Sequence, residues 1–198
     1  MNKKIMIGII STAIVVILGA CGNMKDTSTN NNKATFSSQT MSTSSLLNQD
    51  FKISLDDAIQ LFSKELPDVA ITSIEFDKSF GNYGYKIEGV DEIKEYEIFV
   101  DADTKEKSKQ REERLDAEDA NGVARKNNAL LLDNIISPEK AMKIAFSEIK
   151  KKGDIIDWKL SQEMQKTYYE VTVKNRLSKT EVKIDSVSGA VLKIEQDD

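Results

Sequence analysis

The sequence predicts an α+β protein made of two repeated modules, each one N-terminal helix packed on a three- or four-stranded antiparallel sheet. Three observations carry this expectation. Segments recur at a near-constant offset: Ile53-Ser54-Leu55-Asp56-Asp57-Ala58-Ile59 against Ile136-Ser137-Pro138-Glu139-Lys140-Ala141-Met142, 83 residues apart. Tyr85-Lys86-Ile87-Glu88 recurs as Tyr169-Glu170-Val171-Thr172, and Glu97-Ile98-Phe99-Val100-Asp101 as Glu181-Val182-Lys183-Ile184-Asp185, both 84 residues apart. Within each copy the apolar period is first three to four, then two, as for a helix followed by strands.

Residues 1–20 read as a signal peptide. Lys3 and Lys4 precede an apolar run from Ile5 to Leu18, about 21 Å long as a helix and short of the roughly 30 Å of a bilayer core. The run ends Leu18-Gly19-Ala20-Cys21, which resembles the lipobox of bacterial lipoproteins. The resemblance implies cleavage before Cys21, the chain's single cysteine, and attachment of a diacylglyceryl group to its thiol. Two acyl chains suffice for stable anchoring. The expected location is the extracytoplasmic face of the cell membrane, lipid-anchored, in a Gram-positive bacterium. Removing residues 1–20 leaves 178 residues of net charge −7, which an anionic lipid surface repels.

Residues 21–50 are rich in Ser, Thr and Asn, including Asn30-Asn31-Asn32. Such a tract buries too little apolar surface to offset the entropy of ordering and is expected to be a flexible tether. As a coil it reaches roughly 30 Å.

Module 1 spans 51–112. Ser54 is the expected N-cap, with Asp57 three residues on as in a capping box. Leu55, Ala58, Ile59, Phe62 and Leu66 share one helical face, and Pro67 ends the helix. Alternation at Thr72, Ile74 and Phe76, then Tyr83, Tyr85 and Ile87, then Tyr96, Ile98 and Val100 predicts three strands, with turns at Gly81-Asn82 and Asp91-Glu92. Glu106 to Gln110 is wholly polar and is expected to be frayed or an exposed edge.

The connector, 113–134, is expected to be helical. Between Lys107 and Asn128 both charge signs interleave, the mark of a solvated helix or linker rather than a binding patch. Module 2 spans 135–198. Ser137 caps its helix, Pro138 takes the first helical position, and Ala141, Met142, Ala145 and Ile149 form the buried face up to Gly153. Lys150-Lys151-Lys152 suits the negative end of that helix. Strands follow at Ile156, Trp158 and Leu160, at Tyr169, Val171 and Val173, at Thr180, Val182 and Ile184, and at Ala190, Leu192 and Ile194.

The helix, the Tyr169 strand and the run Glu181-Val182-x-Ile184-Asp185-x-x-Ser188-Gly189-x-Val191 resemble the PepSY domain, found in propeptides of secreted metallopeptidases and in envelope proteins. Copy one carries the pattern as Tyr85-Lys86-Ile87-Glu88 and Tyr96 to Lys105, with Lys105 where the family usually has glycine. The resemblance covers about 120 residues. It implies a non-catalytic module that binds and restrains a peptidase.

Composition excludes several alternatives. There is no histidine, so Ser-His-Asp and Cys-His catalysis and His-ligated metals are absent. One cysteine permits no internal disulfide or zinc ribbon. An excess of 33 acidic over 28 basic residues argues against nucleic acid as a partner. Asp101-Ala102-Asp103-Thr104-Lys105 opens like a calcium loop, but Lys105 sits among the ligands and Glu106 where glycine is needed. A β-turn is expected instead. Asp56 and Asp57 lie in a helix first turn, where carboxylates are stabilising in any case. No enzyme, metal or cofactor is expected.

Tyr168 and Tyr169 must face opposite sides of their strand, which makes Tyr168 the candidate exposed contact. The expected function is a membrane-anchored extracytoplasmic binding lipoprotein that restrains a secreted or cell-surface peptidase. Two alternatives are a small-ligand or cation-binding lipoprotein using the groove between the modules, and a structural envelope component.

Overall fold

The computed structural model describes residues 45–197, Phe80, Lys151 and Leu177 excepted. The signal peptide, Cys21 and the tether up to residue 44 lie outside the described residues.

The two expected sheets are halves of one. Strands β1 (Ala70–Ser79), β2 (Asn82–Val90), β3 (Lys94–Asp101), β4 (Lys107–Arg114), β5 (Asp154–Glu163), β6 (Lys166–Lys174), β7 (Lys179–Asp185) and β8 (Val191–Asp197) form an antiparallel sheet in the order β4-β3-β2-β1-β5-β6-β7-β8. Each copy is a meander, and the copies join where β1 pairs with β5 through Ile74–Leu160, Glu75–Lys159 and Phe76–Trp158. Shifting any of the first residues by 84 gives a residue of the second strand, so a pseudo-two-fold axis falls at the Glu75–Lys159 pair.

Helices α1 (Leu55–Glu65) and α3 (Pro138–Glu148) each pack on their own copy's strands, α1 on β2 and β3 and α3 on β5, β6 and β7. Both are capped as their sequences require. The Ser54 hydroxyl accepts from the Asp57 N–H and the Asp57 carboxylate accepts from the Ser54 N–H, each at 3.1 Å. The Ser137 hydroxyl accepts from the Lys140 N–H at 3.3 Å. A tyrosine sets the approach to each helix. Tyr85 donates its hydroxyl to the Ile53 carbonyl at 2.7 Å, and Tyr169 to the Ile136 carbonyl at 2.8 Å. Both rings are buried in one continuous core that holds Phe62, Ile74, Phe76, Ile87, Trp158, Leu160 and Val171.

The halves differ in how they fill one corner. Gly89 on β2 lies against Val69, so close that a Cβ there would stand 2.6 Å from Val69 Cγ1. In copy two the sizes are exchanged: Val173 takes the strand position and Gly153 the position of Val69. The same space is filled from opposite sides, as close packing requires.

Several expectations are corrected. Thr72 and Ile156 do not lead the inward faces of their strands. A bulge in β1 and another in β5, at equivalent positions, turn Ile71 and Ile155 into the core instead. The polar segment after Asp103 is, as expected, an exposed edge rather than frayed; it forms a full strand, β4, held largely by cross-strand ion pairs. Lys94 and Lys109 bind Glu112, the former at 2.5 Å, and Arg111 lies 3.5 Å from Glu88 and 3.6 Å from Glu95. The connector is helical only in the six residues of α2 (Val123–Asn128). α3 stops at the left-handed Lys150, φ 58°, before Gly153 is reached.

The tether ends earlier than its composition suggests. Ser45 and Leu46 are buried, Leu46–Asn48 forms a 3-10 turn against β5 and α3, and the Ser45 hydroxyl accepts from the Ile155 N–H at 3.2 Å. Phe51 then packs edge-on to Phe76 and Tyr83. Leu46, Leu47 and Phe51 are apolar residues at the end of a polar tract, and burying them offsets the cost of ordering it.

Candidate interaction surface

The helices cover one face of the sheet, which leaves the outer face, two edge strands and the turns open to partners. The outer face is a mosaic of paired charges. Lys86 binds Glu75, Arg111 lies between Glu88 and Glu95, and Lys183 binds Glu163 at 2.7 Å and approaches Glu170 at 3.5 Å. Tyr168 lies on this face, half-buried, with the Lys183 ammonium 4.7 Å from its ring centre. Tyr169, one residue on, is fully buried.

Four carboxyl groups on the outer face are held above their ordinary range. Burial raises Asp77, with Glu75 adding to it; burial also raises Asp157, Glu97 and Glu181. Asp77 Oδ1 has no hydrogen-bond partner among the described residues. No group of three or more carboxylate, histidine or cysteine side chains able to hold a metal ion occurs among the described residues.

The residues weighed for chemistry serve the backbone. Ser54 and Ser137 are helix caps. Asp57 is held below its usual range by the Ser54 hydroxyl and N–H. Asp101 accepts from the N–H groups of Asp103 and Thr104, each at 2.9 Å, which makes the supposed calcium loop a turn. Asp185 does the same for Ser188 at 2.8 Å and Val187 at 3.2 Å. Lys105 occupies the left-handed position (φ 65°) that Gly189 fills in copy two (φ 77°).

The two edges have opposite characters. β4 reads Lys-Ser-Lys-Gln-Arg-Glu-Glu-Arg and is nearly all exposed, the charged edge that resists further pairing. Its Glu112 is pulled down to about 2 by hydrogen bonds from Lys109 and Lys94. β8 carries two exposed aliphatic side chains, Leu192 at 52% and Ile194 at 47% exposure. Beside it, on the helix side, a cavity of about 300 Å³ opens beneath the end of α3. Val173, Thr180 and Ile194 line it below, Ile149 lies above, and Lys150, Lys152 and Glu148 stand at its rim.

Copy one shows why this cavity exists. Tyr96 stands where copy two has Thr180, and Glu112 where it has Gln196. The Tyr96 ring, its hydroxyl bonded to Asp91 at 2.8 Å and Lys109 5.9 Å from its centre, puts a large side chain at the equivalent position. Neither β8 nor the cavity is marked by a motif. The exchange of Tyr96 for Thr180 between the aligned repeats is the sequence feature that points to it.

The comparisons with known proteins agree with this architecture. The family described as "Peptidase propeptide and YPEB domain", PepSY, matches residues 52–111 and 135–195. A crystal structure of a provisionally assigned lipoprotein from Clostridium difficile 630 is 36% identical, covers 78% of this chain and 99% of its own, and superposes with a TM-score of 0.74. No curated protein matches. Both findings support a lipoprotein containing PepSY domains. With both copies matched along nearly their whole length, the chain belongs to the PepSY family.

Proposed function

We propose that this protein is a lipid-anchored, extracytoplasmic binding protein that captures and restrains a secreted or cell-surface peptidase. The single observation that carries the reading is the pair of PepSY domains, described for peptidase propeptides, downstream of a Lys-flanked apolar run ending at Cys21. The Clostridium difficile relative's assignment as a lipoprotein supports the anchor. The Cys21 thiol takes the diacylglyceryl group and the tract after it spaces the body from the membrane of a Gram-positive cell. The protein acts by binding rather than by turnover. Ser54, Ser137, Asp57, Asp101 and Asp185 are committed to caps and turns.

A ligand held in a groove between the modules has less support. Over the junction Leu46 packs with β5 and α3, and Phe51 covers Phe76.

Two measurements test the reading. Metabolic labelling with a palmitate analogue is expected to mark the wild-type chain and not Cys21→Ser. The full chain in mild detergent is expected to capture a peptidase from the organism's secreted proteins and lower its activity. Labelling that survives Cys21→Ser, or a folded chain that captures and slows no secreted peptidase at micromolar concentration, overturns it.

A further inference from the structure

We propose that the β8 edge and its adjoining cavity bind an extended polypeptide strand that presents a bulky apolar side chain with a carboxylate beside it. This rests on the reading above only in taking the partner to be a protein.

Three observations converge on the site. β8 is the terminal strand of the sheet among the described residues, and beside Lys193, Glu195 and Asp197 it exposes two aliphatic side chains, Leu192 and Ile194, where the wholly polar β4 exposes none. The cavity lies along the same strand, since Ile194 and Gln196 line it. An added strand would run about 4.8 Å from β8, and its alternate side chains, facing as Ile194 and Gln196 do, would fall at the cavity mouth. The volume of about 300 Å³ accommodates one large side chain, which Ile149, Val173 and Ile194 would contact within a lining that also holds the polar Asn175, Thr180 and Gln196.

The rim supplies the charge preference. Lys150 and Lys152 are exposed there against one carboxylate, Glu148. A carboxylate next to the inserted side chain meets an ammonium group, whereas a lysine in its place meets like charge. Main-chain hydrogen bonds to β8 supply affinity for any extended segment, and the cavity and lysines supply selection. Copy one cannot offer this site, because Tyr96 puts a large side chain at the equivalent position and Glu112, held by two lysines, lies on the edge strand.

The test uses the full chain in mild detergent and labelled synthetic peptides of about eight residues, the length of an ordinary strand. The probe alternates Thr and Val around a central Phe flanked by Glu. Control peptides carry Ala for Phe, or Lys for both Glu residues. Fluorescence anisotropy is expected to show saturable binding of the probe and at least about tenfold weaker binding of each control, the size of a lost buried side chain for the Ala peptide and of a lost charge-assisted contact for the Lys peptide. Thr180→Tyr places a ring at the cavity, opposite Val173 where Tyr96 has Gly89, and is expected to abolish binding while circular dichroism stays native. A second variant, Lys150→Glu with Lys152→Glu, alters only exposed side chains and is expected to reverse the preference between the Glu and Lys peptides. Hydrogen exchange is expected to slow on probe binding in β8 and not in β4. Absence of probe binding, binding that Thr180→Tyr leaves intact, or protection in β4 overturns the site. A peptidase captured equally by wild type and Thr180→Tyr would overturn this site while leaving the capture reading standing.

Discussion

Cutting Phe76 back to alanine tests whether the two copies fold as one body. Phe76 belongs to copy one but sits on the junction, 2% exposed, stacked on Trp158 of copy two at 5.7 Å and edge-on to Tyr85 at 4.7 Å and Phe51 at 4.8 Å. A buried Phe→Ala change costs about 3–5 kcal/mol, and aromatic neighbours on three sides place this one near about 4 kcal/mol. For a urea dependence of about 2 kcal/mol per molar, the unfolding midpoint should fall by about 2 M. Trp158 is the only tryptophan, so its fluorescence reports copy two, while far-UV circular dichroism reports the whole sheet. Both signals are expected to follow one transition in the wild type and to move together in the variant. A fluorescence midpoint that stays in place while the dichroism splits into two steps would refute a shared core. It would mean that the β1–β5 pairing joins two independently stable bodies.

Four further outcomes follow from single sites. Gly189→Ala should destabilise the body by about 1–2 kcal/mol in thermal melts, since its φ is 77° and a Cβ would stand 3.0 Å from Ile144 Cδ1. Lys105→Gly should instead be neutral to stabilising, by up to about 1 kcal/mol, because it removes left-handed strain at the matching turn. Tyr169→Phe leaves the Ile136 carbonyl without its hydroxyl donor, and a loss of about 1–3 kcal/mol is expected by urea unfolding. Asp157→Asn should stabilise at neutral pH. Burial raises the folded carboxyl above its unfolded value near 3.8, so stability is full below that value and falls as pH rises through the folded one. The neutral amide still accepts from Thr172, and the advantage over wild type should vanish by about pH 3, as melting curves across pH would show. Glu75, Asp77 and Lys179 are the charged neighbours that set its size.

The parts of the fold that were legible in the sequence are those written locally. Ser54 and Ser137 announce helix starts through their own hydrogen bonds, and Tyr85 and Tyr169 lie in alternating runs that could only be strands. The junction was not legible, because pairing β1 with β5 uses the same apolar alternation that pairing within one copy would use. The bulges at Thr72 and Ile156 each shift one residue of a pattern that the sequence does not mark, since Ile155 and Ile156 are equally apolar and Thr72, like Ile71, is β-branched and suits a strand. That the polar segment of β4 pairs as an edge rather than frays was left open by the sequence, because its stabilising partners, Glu88, Glu95 and Lys94, lie on other strands. Leu46 was masked by the polar tract around it. The cavity is the absence of a ring at Thr180, and an absence shows only when the copies are compared.

The β1–β5 pairing also bears on how such a protein can work outside a cell. A chain with one module would have to find a second in order to cover β1, and dilution would pull the pair apart. Here the residues between β4 and α3 tie the halves together, so their meeting is a unimolecular event at an effective concentration of about millimolar. The occupancy of that internal contact does not depend on how many copies of the protein the cell makes. Even a sparsely expressed protein of this design is already assembled.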